Sequence, residues 1–222
     1  FLIIGHGSRG TWLAIPFILL LLCSFYYRTA LKKVALTLGV STLLTISLFH
    51  LPNNPIDQRI EAIQSDTSLL ENSNYHSSIG TRIFLWNLAV EQFKSSPIYG
   101  VGTKQFRDKI CEQHQQGFIP NCQVHAHNVF FQFLATHGII GFLGIFLTFL
   151  IPFSFYVKTL FNNTSQESKV FAIAGLCFTI SMGACGLTDF LFFTPFPTML
   201  YFLMSVTLIT IITKQRTFSP KI

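Results

Sequence analysis

Residues 125–157 read HAHNVFFQFLATHGIIGFLGIFLTFLIPFSFYV, and this stretch decides the class of fold. Two histidines and an asparagine stand directly before a long, largely apolar run. Asn128 is a good helix N-cap, because its side chain can accept a hydrogen bond from an amide of the first turn. We therefore predict a helix that begins after Asn128 and enters the hydrocarbon core of a membrane at Gly138.

Glycines follow along the same helix at a spacing of three residues, at Gly138, Gly141 and Gly144. Small residues on one face let another helix approach closely within a membrane. The pattern predicts a rigid, tightly packed helix whose N-terminal end fixes the position of His127.

The composition agrees with a membrane protein. Half of the 222 residues are hydrophobic and only 11% are charged, whereas soluble domains carry about 25% charged residues. The sequence opens at Phe1 within an apolar run, so we interpret it as the C-terminal piece of a longer polytopic protein, with residues 1–7 as the tail of an earlier span.

Membrane-spanning helices need about 20 consecutive, mostly apolar residues. Stretches that meet or approach this length predict an all-α fold, a polytopic membrane helical bundle with about five transmembrane helices. These stretches are residues 12–27, 34–50, 138–157, 170–188 and 196–213.

Positively charged residues indicate the orientation of the spans, because cytoplasmic connections are enriched in Lys and Arg. Alternating spans place three basic segments on one side, and Glu167 is the only acid among them. We predict that this side is the cytoplasm. The net charge of +6 is then a signal of topology and not of a nucleic-acid-binding surface. The basic residues are Arg28, Lys32, Lys33, Lys158, Lys169, Lys214, Arg216 and Lys221.

The predicted spans divide the chain into three parts. Residues 1–50 hold the end of a preceding span and transmembrane helices 1 and 2. Residues 51–127 are predicted to form a large loop on the outer side of the membrane, which is the periplasmic side in a bacterial inner membrane, and residues 128–222 to hold transmembrane helices 3–5 and a cytoplasmic tail. A connection as long as the loop is uncommon and indicates function.

Within this loop, Ile83, Trp86, Val90 and Phe93 recur at helical spacing. The pattern predicts an amphipathic helix that lies on the membrane or on the bundle. Proline and glycines in residues 97–102 then end that helix with a turn.

Two cysteines in the loop, Cys111 and Cys122, allow two interpretations. In an oxidising compartment they would form a disulfide that closes a short loop. Alternatively, Cys111-x-x-His114 and Cys122-x-x-His125 imitate the spacing of zinc ligands. Since no scaffold for a zinc site is evident around them, we predict no bound metal.

Ionisable residues on the outer side are candidates for a chemical site. Arginine binds phosphate oxygens through a charged fork, and histidine as a residue type suits proton removal from a hydroxyl. His127, Arg9 and Arg82 therefore form a candidate site for displacing a phosphate leaving group with an alcohol. A snorkelling interfacial role for Arg9 and a solvated first-turn role for Arg82 are the alternatives.

Three further residues form a second tier. Asn128 positions the helix. Asp189 lies between the last two predicted spans, where it could pair with an arginine, orient an acceptor or simply end a helix. His125 could assist His127, although the spacing of two residues predicts that they lie on different faces.

Four short motifs occur in order along the chain, and together they carry a family resemblance. They are SRGTW with Arg9, R-x-x-x-W from Arg82 to Trp86, P-x-x-G-x-G from Pro97 to Gly102, and H-N-x9-G-x-x-G from His127. The chain thus resembles the C-terminal half of the O-antigen ligase family. These are bacterial inner-membrane glycosyltransferases that include O-antigen ligases, some O-antigen polymerases and O-linked protein oligosaccharyltransferases.

The resemblance implies a donor, undecaprenyl pyrophosphate carrying a glycan, at the periplasmic face of the inner membrane. An acceptor hydroxyl would attack the anomeric carbon with inversion while the polyprenyl pyrophosphate leaves. His127 would activate the hydroxyl, and Arg9 and Arg82 would engage the pyrophosphate, with no cofactor. Without the earlier spans, this piece alone is expected to be inactive.

The acceptor is the open part of this prediction. Lipid A-core is expected, and the alternatives are another glycan chain or a Ser or Thr of a protein.

A membrane transporter is the non-enzyme alternative. A transporter would be expected to have ionisable residues or broken helices near the middle of the membrane. The prolines at 16 and 152 lie near span ends instead.

Overall fold

The computed structural model describes residues 15, 18–22, 39, 61, 64–70, 74–162 and 164–218, with side chains as far as residue 215. Within these residues every regular element is helical, so the predicted all-α fold is confirmed. The elements are α1 (Ser78–Ser95), α2 (Thr103–Gln115), α3 (Val129–Phe161), α4 (Gln166–Thr188), a short 3-10 turn (Leu191–Phe193) and α5 (Pro195–Phe218).

Three of these helices are long and apolar enough to cross a membrane. They are α3, α4 and residues Pro195–Gln215 of α5, in agreement with the last three predicted spans. The first two predicted spans and Arg9 lie outside the described residues, apart from a few helical positions in the first two spans. The number five and the three-part division of the chain therefore stay predictions.

The helices α3, α4 and α5 run up and down in sequence. Helix α3 packs against α1 and α4, and α4 packs against α5. At one end, the Gln215 side chain in α5 accepts a hydrogen bond from Ser168 (2.7 Å) and donates one to Glu167 (3.1 Å). Loops 125–128 and 189–194 meet at the opposite end.

The predicted helix in the loop is present as α1, and Ser77 caps its start by accepting a hydrogen bond from the Gly80 amide (2.9 Å). Its buried face differs from the predicted stripe, since Ile83, Trp86, Val90 and Phe93 are only half-buried. The fully buried positions are mostly small or polar, which a search for large apolar residues does not detect. They are Gly80, Thr81, Leu85, Leu88, Ala89 and Gln92.

Helix α2 is an element that the sequence did not predict. It is strongly polar, and only Phe106 and Ile110 are buried, both at 0% exposure. These two residues are one helical turn apart and pack into a core with Leu85 and Leu88 of α1. Their spacing of four residues was the available signal.

Helix α3 is kinked at Gly138, whose φ of 61° and ψ of −155° are not helical. The kink frees backbone groups that the loop 97–102 satisfies. The Ile139 amide donates to the Pro97 carbonyl (2.8 Å), while the carbonyls of Ala135 and Thr136 accept from loop amides at 2.9 Å each. The P-x-x-G-x-G segment is therefore built into the kink.

The predicted close packing of another helix against the glycine face of α3 is not seen among the described residues. A Cβ on Gly138 would collide with the backbone of Ile98, so close approach is needed there, but to a loop and not to a helix. At Gly141 a Cβ would meet His137 of the same helix, and at Gly144 it would meet none of the described residues within 4 Å. Regular spacing alone did not distinguish these environments.

Candidate functional site

The site begins with the peptide around Ala126, which is held from both sides. Its amide donates to the side-chain carbonyl of Gln132 in α3 (2.8 Å). Its carbonyl accepts from the indole of Trp86 in α1 (3.0 Å), whose ring stacks on Phe131. Helices α1 and α3 thus fix the chain immediately before His127.

Asn128 fixes the chain immediately after His127. Its side-chain oxygen accepts from the amides of Phe130 (2.9 Å) and Phe131 (3.2 Å), so the predicted N-cap is confirmed. Its amide group also donates to the carbonyl of Leu187 near the end of α4 (3.0 Å). Asn128 therefore joins the start of α3 to the segment that carries Asp189.

Asp189 ends α4, where its amide donates to the carbonyl of Cys185 (3.0 Å). Its carboxylate Oδ1 also lies 3.4 Å from Nδ1 of His127. The hydrogen bond from His127 lowers the pKa of Asp189 to about 2, so the group is a carboxylate at neutral pH. The predicted helix-end role is confirmed, whereas the carboxylate lies beside a histidine and not beside an arginine.

His127 is held between two polar groups. Besides Asp189 at Nδ1, its Nε2 lies 3.3 Å from the side-chain amide oxygen of Gln123. A neutral imidazole has one donor and one acceptor nitrogen, and a carboxylate at Nδ1 favours the proton there. This leaves Nε2 as the nitrogen able to accept a proton.

His125 and His127 were predicted to lie on different faces, and that prediction is wrong. Their ring centroids are 4.4 Å apart with an edge-to-face angle of 67°. His127 has a φ of +49°, a left-handed conformation that turns the chain and brings the two rings together. The prediction of different faces applies to helical geometry, in which residues two apart lie about 200° apart around the axis, and residues 125–128 precede the helix.

Arg82 and His127 line one polar cleft of about 300 Å³. Arg82 lies in the second turn of α1, close to the positive end of the helix dipole. Two walls of the cleft come from the start of α1 and from the loop before His127. Its lining residues are His76, Ser77, Ser78, Thr81, Arg82, Pro120, Asn121, Gln123 and His127.

Two groups of residues carry side chains of the types that bind metal ions. One nitrogen each from His125 and His127 and one oxygen of Asp189 lie within 4.8 Å of one another, so these groups could hold a metal ion. The alternative built on cysteines is not supported. Cys111 and Cys122 are bonded to each other, and His114 Nδ1 lies 3.0 Å from the carbonyl of Ile119.

The disulfide between Cys111 and Cys122 connects α2 to the loop that leads to Gln123 and His127. Their Cα atoms are 4.5 Å apart. The bond thereby fastens one wall of the cleft to α2. Disulfides generally form and persist in oxidising compartments.

Replacing both cysteines, as Cys111→Ser with Cys122→Ser, is expected to lower stability by about 2–4 kcal/mol, because the open chain gains conformational freedom when it unfolds. Thermal unfolding in detergent measures the change. Alkylation of the folded protein before and after reduction should show one additional accessible thiol pair after reduction. Cys177→Ser in α4 is the control, since Cys177 is a free thiol. Alkylation of Cys111 without reduction would contradict the assignment.

Several contributors to the site were not found from sequence. Gln132 is 2% exposed and serves the Ala126 amide, and Gln123 faces the His127 ring. For Gln132, the available signal was its position as the one polar residue in the apolar turn FFQF, which indicates a buried hydrogen bond. Trp86 was recognised as part of a motif, but its hydrogen bond spans 40 residues of chain.

Comparisons with known proteins agree with the motif order. A family model described as O-antigen ligase matches residues 1–146. An uncharacterized protein of Haemophilus influenzae is 30% identical over 180 residues, which cover 79% of this chain and 45% of that protein. An O-antigen ligase of Escherichia coli K12 is 24% identical over 188 residues, which cover 82% of this chain and 42% of that protein. The chain thus spans less than half the length of these curated relatives.

Proposed function

Because the chain belongs to the O-antigen ligase family, we propose that the protein transfers a glycan from undecaprenyl pyrophosphate to an acceptor hydroxyl. The observation that carries this proposal is the cleft that Arg82 and His127 share, with the Asp189 carboxylate against His127. The cleft thereby combines a proton acceptor with a fixed positive charge. Attack by a hydroxyl and departure of a pyrophosphate need these two groups.

His127 acts as the general base in this proposal. Nε2 accepts the proton of the acceptor hydroxyl as the oxygen attacks the anomeric carbon of the donor. Asp189 stabilises the imidazolium that forms, because its carboxylate lies at Nδ1. The side chain of Gln123 suits both states, since a carboxamide can present its NH2 group or its oxygen to Nε2.

Arg82 acts on the leaving group. As the new bond from the hydroxyl oxygen to the anomeric carbon forms, the bond from that carbon to the pyrophosphate oxygen breaks. The polyprenyl pyrophosphate then carries additional negative charge, which a guanidinium fork and the N-terminal end of α1 both stabilise. Arg9, which lies outside the described residues, is the second arginine expected from the family resemblance. A single displacement inverts the anomeric carbon.

The proposed site faces the periplasm from the bacterial inner membrane. In support, the disulfide between Cys111 and Cys122 lies on the site's side of the molecule, as expected in an oxidising compartment. Lys158, Lys169 and Lys214 lie at the other end of the three apolar helices. That end then faces the cytoplasm.

The proposed acceptor is lipid A-core, and a growing glycan or a protein Ser or Thr is the alternative. A transfer assay decides between them, with the full-length protein in proteoliposomes and an undecaprenyl-pyrophosphate-linked glycan that carries a label. Lipid A-core, free glycan and a Ser-rich or Thr-rich protein are offered separately. Label transfer to lipid A-core alone supports ligation, and transfer to another acceptor alone replaces that part of the proposal.

Arg82→Lys is expected to lower the transfer rate roughly ten- to a hundredfold, the equivalent of losing one charge-assisted hydrogen bond. Lysine keeps the positive charge but cannot form two parallel hydrogen bonds to phosphate oxygens. The same proteoliposome assay measures the rate. Arg107→Lys is the matched control, because Arg107 is exposed on α2 and does not line the cleft. Equal rates for the two variants would contradict the role of Arg82.

A further inference from the structure

His125 is buried beside His127, and the proposed reaction assigns it no proton transfer. Its residue exposure is 8%. Burial, with charge repulsion from His127, lowers the pKa of His125 to about 4, so the ring is neutral at pH 7. Its Nδ1 already accepts the backbone amide proton of His127 (3.2 Å). A ring with its acceptor nitrogen occupied is poorly suited to act as a base.

The same hydrogen bond constrains an unfavourable backbone conformation. Among the described residues, His127 is the one non-glycine residue with a positive φ. For an ordinary side chain the left-handed region costs roughly 1–2 kcal/mol. It persists only where surrounding contacts enforce it. Here three hydrogen bonds hold the backbone in place. His125 binds the His127 amide, and Gln132 and Trp86 bind the amide and the carbonyl of Ala126.

His125 also contacts the segment that carries Asp189. Its ring packs against Phe190 and Phe193 with centroid separations of 5.7 and 5.4 Å. With Nδ1 accepting, the proton of the neutral ring lies on Nε2, which is 3.9 Å from Asp189 Oδ1. One side chain therefore contacts both partners of the pair formed by His127 and Asp189.

We infer that His125 is a positioning residue for His127: its Nδ1 holds the His127 amide, and its ring holds the Asp189 segment, so that the base and its carboxylate stay aligned. This inference rests on the proposed function of His127. The geometry is that of an Asx turn, in which a side-chain acceptor binds the amide two residues ahead. Asparagine can form the same turn, whereas glutamine places its oxygen one carbon further away.

The test compares His125→Asn, His125→Gln and His125→Leu in the full-length protein, by glycan transfer in proteoliposomes. His125→Leu and His125→Gln are expected to lower kcat about tenfold or more, which corresponds to about 1.4 kcal/mol. KM for the donor should change less than about twofold, since the binding arginine is untouched. His125→Asn should keep a higher kcat than either variant, because it retains the hydrogen bond to the His127 amide and loses only the ring contacts.

A double-variant comparison separates positioning from a general structural effect. If His125 acts through His127, then adding His125→Leu to His127→Ala should cause no further loss of transfer. An additional tenfold loss in that background would overturn the inference, as would equal kcat values for His125→Asn and His125→Gln. If His125→Leu does not fold, the comparison of kcat between His125→Asn and His125→Gln tests the inference by itself. Full activity of His127→Ala would instead refute the proposed function.

Discussion

His127→Ala in the full-length protein is expected to lower the rate of glycan transfer by about 10²- to 10⁴-fold, the usual contribution of a general base. The loss should be chemical and not structural. The backbone on both sides of His127 is held by Trp86, Gln132 and Asn128, which the substitution leaves in place. Initial rates in proteoliposomes, normalised to folded protein by size-exclusion chromatography, measure the effect. Membrane insertion and abundance should stay close to the wild type.

His137→Ala is the matched control for this substitution. His137 lies ten residues further along α3, about 15 Å along the helix axis. It is exposed, contacts Thr136 and Phe133, and does not line the cleft. Most of the transfer activity should therefore remain. If His137→Ala loses activity while His127→Ala retains it, the assignment of the base is wrong and the residues before α3 serve only as a helix cap.

Gly138→Ala is expected to cause the largest loss of stability of any single substitution considered. Its backbone conformation is one that essentially only glycine adopts, which costs a side chain about 1–3 kcal/mol. The added Cβ would also collide with the backbone at Ile98. Together these effects should lower the unfolding midpoint in detergent by roughly 5 °C or more. Yield of folded protein should fall in parallel.

Two other glycines separate the contributions to this loss. Gly144 is helical and a Cβ there meets none of the described residues within 4 Å, so Gly144→Ala should be neutral or stabilising by up to about 1 kcal/mol. Gly102 has a φ of 85° but open space around it, so Gly102→Ala should show the conformational cost without the collision. An unchanged midpoint for Gly138→Ala would mean that the kink is not required.

The parts of the fold that local rules govern were predictable from sequence. The start of α3 followed from Asn128, since an N-cap depends only on its next few residues. The last three spans followed from length and hydropathy. Helix α2 was missed because its buried side consists of only Phe106 and Ile110, too few to stand out in a polar segment.

The site itself depends on conformations and long-range contacts that no local pattern specifies. The motifs identified His127 and Arg82 as candidate site residues, and both line one cleft in the structure. The contact between His125 and His127 depends on one left-handed residue, and sequence spacing predicted the opposite. The approach of Asp189 to His127 depends on how α4 packs against α3, which brings together residues that are distant in sequence.

The docking of residues 97–102 into the kink of α3 has a consequence for protein engineering. Three backbone hydrogen bonds and two glycines that tolerate no Cβ join these segments, so they form one folding module assembled from two separate stretches of chain. A chimera between two members of the family that exchanges α3 but leaves the 97–102 turn behind would combine mismatched halves. Recombination libraries should therefore transfer residues 97–102 and 128–141 together, with crossover points placed outside both.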